Sequence, residues 1–143
     1  MEQKLIFEEW LKRKLSFDSY WYLKEPIILE YEFKGGRMGH PSNYAFVRFE
    51  VNPSESLSFQ STVSWDAGQP NDISLYESLV CEAIVDGLIC NSTTPFTGCS
   101  LNLVAVKEDE VSSSPGAFYK ATKKVMADLI ETGKWGLSQY KNL

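Results

Sequence analysis

Residues 27–51 read IILEYEFKGGRMGHPSNYAFVRFEV, and the fold turns on this stretch. Ile27, Leu29, Tyr31 and Phe33 share one face of an extended chain; Ile28, Glu30, Glu32 and Lys34 share the other. After an interruption the pattern resumes, with Ala45, Val47, Phe49 and Val51 on the apolar face and Arg48 and Glu50 opposed. A period of two marks half-buried strands, so the stretch reads as a hairpin of strands at 27–34 and 45–51. A hairpin turn needs about two to five residues. This connection is longer and holds two adjacent glycines, Arg37 and the only histidine, His40.

Working outward, Leu57, Phe59, Val63 and Trp65 predict a third strand over 57–65. Three successive antiparallel strands with one polar face require a helix layer on the other. Ser74-Leu75-Tyr76-Glu77 has the form of a capping box opening a helix that runs to about 89, with Ile73, Tyr76, Val80, Ala83, Ile84 and Gly87 inward. A polar loop at 91–98 leads to a fourth strand at about 99–106. Ser114-Pro115 opens the last helix, serine as N-cap and proline at the first helical position. Its inner stripe is Phe118, Ala121, Thr122, Val125 and Leu129, and Gly133 is its stop. Leu5, Ile6, Trp10, Leu11 and Leu15 predict an amphipathic N-terminal helix over 3–15. The aromatic stretch Phe17, Tyr20, Trp21, Tyr22 and Leu23 reads as core packing or the cover of a sheet edge, with base stacking as the functional alternative. The tail 134–143, with Trp135 and Tyr140, either frays or folds back. The expected fold is a single α+β domain over 1–143. It is a two-layer sandwich with a mainly antiparallel four-stranded sheet in the order β-β-β-α-β-α, preceded by a helix.

The 143 residues are 43% hydrophobic and 23% charged, the composition of a globular domain. No run of eighteen apolar residues marks a membrane span, and MEQKLIFEEWLKRKL lacks the apolar core of a signal peptide. A cytoplasmic protein with no membrane partner is expected. Cys81, Cys90 and Cys99 are odd in number and spaced by nine, which fits free thiols and no zinc pattern. A nucleophilic cysteine needs a base, and His40 alone is available. No residue set demands chemistry, so no enzyme, metal, cofactor or nucleotide is expected. Glu108, Asp109 and Glu110 are adjacent and splay outward, with a weak divalent-ion site as the alternative.

Charge is unevenly spread. Residues 1–48 carry a net +1, residues 49–116 a net −9, and residues 117–143 a net +3. The acidic middle repels phosphate and suits a basic partner. At the hairpin tip, Gly35 and Gly36 permit close backbone approach while Lys34, Arg37 and His40 supply positive charge. Ser112, Ser113 and Ser114 open a helix, where hydroxyls and free amides hold an anion or simply cap.

In this order the landmarks resemble domain IV of elongation factor G and related ribosome-protection GTPases, over residues 29–131. The matching features are Gly35-Gly36-Arg37 at the first hairpin tip, Tyr44 after it and Pro53 at the end of strand two. Pro70 before the long helix, Pro95-Phe96-Thr97-Gly98 before the fourth strand, and Val111-Ser112-Ser113-Ser114-Pro115-Gly116-Ala117-Phe118 into the last helix complete the set. The resemblance implies a left-handed β-α-β crossover and a hairpin tip that reaches the decoding region of the small ribosomal subunit. A second family loop carries a histidine–aspartate pair where this chain has Asp109-Glu110, and the sequence holds no GxxxxGK[ST] phosphate loop. The expectation is a free-standing, non-enzymatic binding module. Its site is Lys34, Gly35, Gly36, Arg37, His40, Ser112, Ser113 and Ser114, and its partner is the ribosome, structured RNA or a translation-associated protein. The alternative is an acidic protein–protein adaptor or nucleic-acid decoy that uses the 49–116 surface.

Overall fold

The computed structural model describes residues 19–35, 43–65, 70–90, 93–108 and 114–139. The elements are β1 (Ser19–Leu23), β2 (Ile27–Gly35), β3 (Asn43–Pro53), β4 (Ser58–Ser61), α1 (Pro70–Leu88), β5 (Phe96–Lys107), α2 (Pro115–Thr132) and β6 (Trp135–Gln139). The helix expected over 3–15 lies outside the described residues. The hairpin is as the alternation predicts: β2 and β3 pair antiparallel from Ile27↔Val51 to Gly35↔Asn43. β3 then pairs antiparallel with β5 along its length.

The sheet is not the expected four-stranded antiparallel one. It is mixed and six-stranded, in the order β2-β3-β5-β1-β6, with β4 also paired to β5. Both edges of β3 are taken, by β2 and β5, so the third predicted strand has no place beside it. β4 pairs instead with the far edge of β5, in parallel, from Ser58↔Ser100 to Ser61↔Leu103. A parallel pair needs a crossover, and α1 supplies it. The same edge of β5 is shared lower down with β1, which pairs in parallel at Trp21↔Phe96 and Tyr22↔Gly98. β1 is the aromatic stretch and β6 the tail; they pair antiparallel from Ser19↔Gln139 to Leu23↔Trp135.

α1 begins at Pro70, earlier than the capping box at Ser74 predicts, because proline's fixed φ suits a first helical turn. Glu77, cast as the box's carboxylate, accepts a hydrogen bond from Trp65 Nε1 at 3.1 Å. α2 begins as expected. Ser114 is extended (φ −148°, ψ 159°) and its Oγ accepts from the Ala117 amide at 3.2 Å. It ends at Gly133 with φ −68°, so no left-handed turn is involved. The glycine is needed for space: a Cβ there would lie 2.5 Å from Leu129 O and 2.8 Å from Trp135 Nε1.

One apolar cluster joins the layers. Ala45, Val47, Phe49 and Val51 of β3 and Leu101 and Leu103 of β5 meet Val80, Ile84 and Leu88 of α1 and Phe118, Ala121, Val125 and Leu129 of α2. Both helices therefore cover the same sheet face. Each buried Val, Leu, Ile or Phe among them contributes about 1.5–3 kcal/mol. The helices also touch closely, for a Cβ at Gly87 would stand 2.7 Å from Met126 Cβ.

Candidate interaction site at the hairpin end

The alternation that buries one face of the hairpin sends a row of charged side chains to the other. Arg48 Nε donates to Glu30 Oε1 at 3.1 Å across the β2–β3 pair. One step nearer the tip, Glu32 receives Tyr44 Oη on Oε2 at 2.9 Å and Lys34 Nζ on Oε1 at 3.2 Å. The Tyr44 hydrogen bond, then that from Lys34, with the charges of Lys34 and Lys107, hold the Glu32 carboxyl below its usual range. Phe46 also points away from the helices, yet it is only 5% exposed. Lys107 Nζ lies 4.8 Å and Arg48 Cζ 5.6 Å from its ring centroid, an arrangement that holds both cations over an apolar floor. On the helix-covered face, Lys120 Nζ stands 5.6 Å over the ring of Phe33.

Three elements thus bring a lysine to one end of the sheet: Lys34 from β2, Lys107 from β5 and Lys120 from α2. Of the predicted site residues, Lys34 is exposed there and Gly35 closes the ladder opposite Asn43. Gly36, Arg37 and His40 lie between them in sequence but outside the described residues, as do Ser112 and Ser113. Ser114 serves as the α2 N-cap. Lys107 and Lys120 were not anticipated. The available signal was weak: Lys107 is the sole basic residue in 49–116, and Lys120 begins the lysine run of α2.

Elsewhere, burial pushes the Cys99 thiol up to about 12, so it is a poor nucleophile. Among the described residues no three His, Cys, Asp or Glu side chains gather as a metal site, and no helix is long and apolar enough to cross a membrane. An open groove of about 510 Å³ runs between Tyr20, Tyr22 and Ser138 on one side and Pro53–Glu55 on the other.

The described residues define an α+β protein with a mixed six-stranded sheet and two helices packed on one face. No family model and no curated protein matches the sequence. The fold is similar to that in a crystal structure of a Thermus thermophilus protein, with a TM-score of 0.62 and 21% identity over 85% of this chain. The match takes in 18% of the Thermus chain, so this chain spans less than a fifth of that protein's length. The likeness is one of fold.

Proposed function

We propose that the protein is a non-enzymatic binding module of the translation factor domain IV type, which presents the end of the β2–β3 hairpin to phosphates of the ribosome or another structured RNA. The reading rests on the gathering of Lys34, Lys107 and Lys120 at the end from which the Gly36–Arg37–His40 segment departs. Lysines act as point charges on phosphates, and arginine adds a two-pronged fork. On this reading the helices form one layer of a two-layer sandwich, the β4–α1–β5 crossover is left-handed, and the protein works in the cytoplasm.

Co-sedimentation with small ribosomal subunits at two salt concentrations tests it. A phosphate contact by arginine contributes roughly 1.5–3 kcal/mol, so Arg37→Glu weakens binding about tenfold or more. Lys107→Glu weakens it as well and lowers the salt slope by about one. Arg37→Glu moves stability by no more than about 0.5 kcal/mol, whereas Lys107→Glu also removes the cation over the Phe46 ring and costs about 1 kcal/mol. If wild type fails to bind, or Arg37→Glu binds as well as wild type, the reading is wrong.

A further inference from the structure

Among the described residues β4 is an edge strand with one side used. Thr62 N–H donates to Leu103 O at 3.1 Å, the continuation of the parallel ladder to β5. In such a ladder, alternate residues turn both backbone groups to the same neighbour. Ser58, Gln60 and Thr62 therefore address β5, and Phe59 and Ser61 turn their N–H and C=O groups the other way. Among the described residues no strand pairs with that second edge. An open edge is a template for another strand.

Beside this edge lies an apolar cleft. Leu57, Ser58 and Phe59 form one wall, and Cys81, Ile84 and Val85 of α1 form the other, around about 200 Å³. That is below the roughly 300–1,000 Å³ of a small-molecule site, and it suits an aliphatic side chain. Val85 is 42% exposed and Leu75, further along α1, 46%. Apolar groups left open next to a strand edge that no other described strand pairs with are the two halves of a strand-addition site: hydrogen bonds along the edge, and a pocket for alternate side chains.

The charge around the cleft selects the occupant. Residues 49–106 contain no lysine or arginine. Exposed Glu55 precedes β4, and Glu77 of α1 reaches the cleft wall, where burial and then the Glu77 charge push the Cys81 thiol up. A second copy of this chain docking edge to edge would place two acidic surfaces together, and nucleic acid would be repelled by the same field. We infer that the β4 edge and the α1 cleft accept an extended, basic segment of a partner protein, which adds a strand to β4 and places an aliphatic side chain between Phe59 and Val85. This gives the acidic-adaptor alternative a location. It does not depend on the hairpin-end reading.

The test starts from a displayed library of random ten-residue peptides selected on the full 143-residue chain, followed by synthesis of the enriched sequences. The expected result is enrichment of peptides in which lysine or arginine flanks alternating aliphatic residues. Val85→Lys, which fills the cleft rim with a cation on an exposed helix position, weakens their binding at least tenfold. Glu55→Lys, just before the Leu57–Phe59 wall, weakens it and flattens its salt dependence. N-methylation of alternate peptide amides in one phase abolishes binding, while the other phase tolerates it, because only one set of amides faces β4. Lys34→Glu with Lys107→Glu leaves these peptides bound as before, which separates this surface from the hairpin end. The inference is overturned by enrichment of acidic or uncharged sequences, by equal binding to Val85→Lys, by indifference to both N-methylation phases, or by no enrichment at all.

Discussion

Tyr22 is flanked by two glycines, and they are needed for different reasons. In β5, a Cβ on Gly98 would collide with Tyr22 Cβ and fall 2.5 Å from Tyr22 Cα. In β6, a Cβ on Gly136 would fall 2.5 Å from Tyr22 Cζ and Oη and 2.8 Å from Cε1. Carbon atoms prefer about 3.5–4.0 Å, so both substitutions to alanine overpack. The first meets backbone. Relief requires β1 to lift from β5, with loss of the Trp21↔Phe96 and Tyr22↔Gly98 pairings and of the Trp21–Phe96 ring stack at 5.9 Å. Overpacking costs about 1–3 kcal/mol and occasionally more, and Gly98→Ala belongs at the top of that range. For a domain of this size that is a fall in Tm of about 6–12 °C. Gly136→Ala meets the far end of a ring that can swing aside, at about 1–2 kcal/mol. Truncating the ring separates the cases. In a Tyr22→Leu background, Gly136→Ala costs no more than about 0.5 kcal/mol, whereas Gly98→Ala keeps its full penalty because Cβ and Cα remain. Urea titrations of the two double-mutant cycles read out the coupling. A neutral Gly98→Ala, or rescue of both glycine variants by Tyr22→Leu, would refute the described packing of β1 on β5.

Tyr119 Oη donates to Asp86 Oδ2 at 2.6 Å and ties α2 to α1; Tyr119→Phe should cost roughly 1 kcal/mol at neutral pH. That hydrogen bond, ahead of desolvation and nearby carboxylates, pushes the phenol up to about 12. The folded value thus exceeds the unfolded one of about 10. The bond's contribution is therefore complete below about pH 10 and is lost as the pH rises toward 12. Denaturation of wild type and Tyr119→Phe should differ by a constant amount from neutrality to about pH 9 and converge above it; a gap that persists at high pH contradicts the assignment. All three cysteines are free, with Cys81 and Cys90 exposed and Cys99 buried. A thiol reagent should count two groups promptly in the native protein and the third only after unfolding, and a prompt count of three would show that the core around Cys99 is open.

The hairpin was legible because its apolar and charged residues differ sharply at a period of two, and α2 because Ser114-Pro115 is a local start signal. β1 and β6 were not. Each has five residues, and β1 carries aromatics on both faces, Trp21 beside Phe96 and Tyr22 over Gly136, so alternation has no contrast to display. β4 misled in the opposite way. Its apolar alternation runs on to Trp65, but the strand stops at Ser61. Beyond it Trp65 serves the helices, packing edge-on against Phe118 with centroids 5.1 Å apart and tilted on Tyr76 at 5.4 Å. The pairing partner of a strand is a non-local property, and a one-dimensional pattern cannot state that β3 is already flanked on both sides. The candidate site shows the same division. Lys34 belongs to a local motif and was found; Lys107 and Lys120 arrive from β5 and α2 only when the sheet and helix layers assemble.

A net charge of −5 would argue against any RNA-facing surface if charge acted as a total. It acts locally, because ionic screening limits exposed charges to a Debye length of about 8 Å at physiological salt. Lys107 ends β5, whereas β4 meets β5 at Ser100–Leu103. At about 3.4 Å per residue, the four to seven residues between them place the cleft edge roughly 14–24 Å from that lysine. The acidic cleft and the lysine-bearing end are then separate electrostatic surfaces at physiological salt. At about 0.01 M salt the screening length reaches about 30 Å, and the acidic surface should then depress anion binding at the hairpin end. Lowering the salt would therefore strengthen phosphate binding less steeply than the lysine count alone implies, and Glu55→Gln would restore part of the missing slope while leaving binding at physiological salt unchanged.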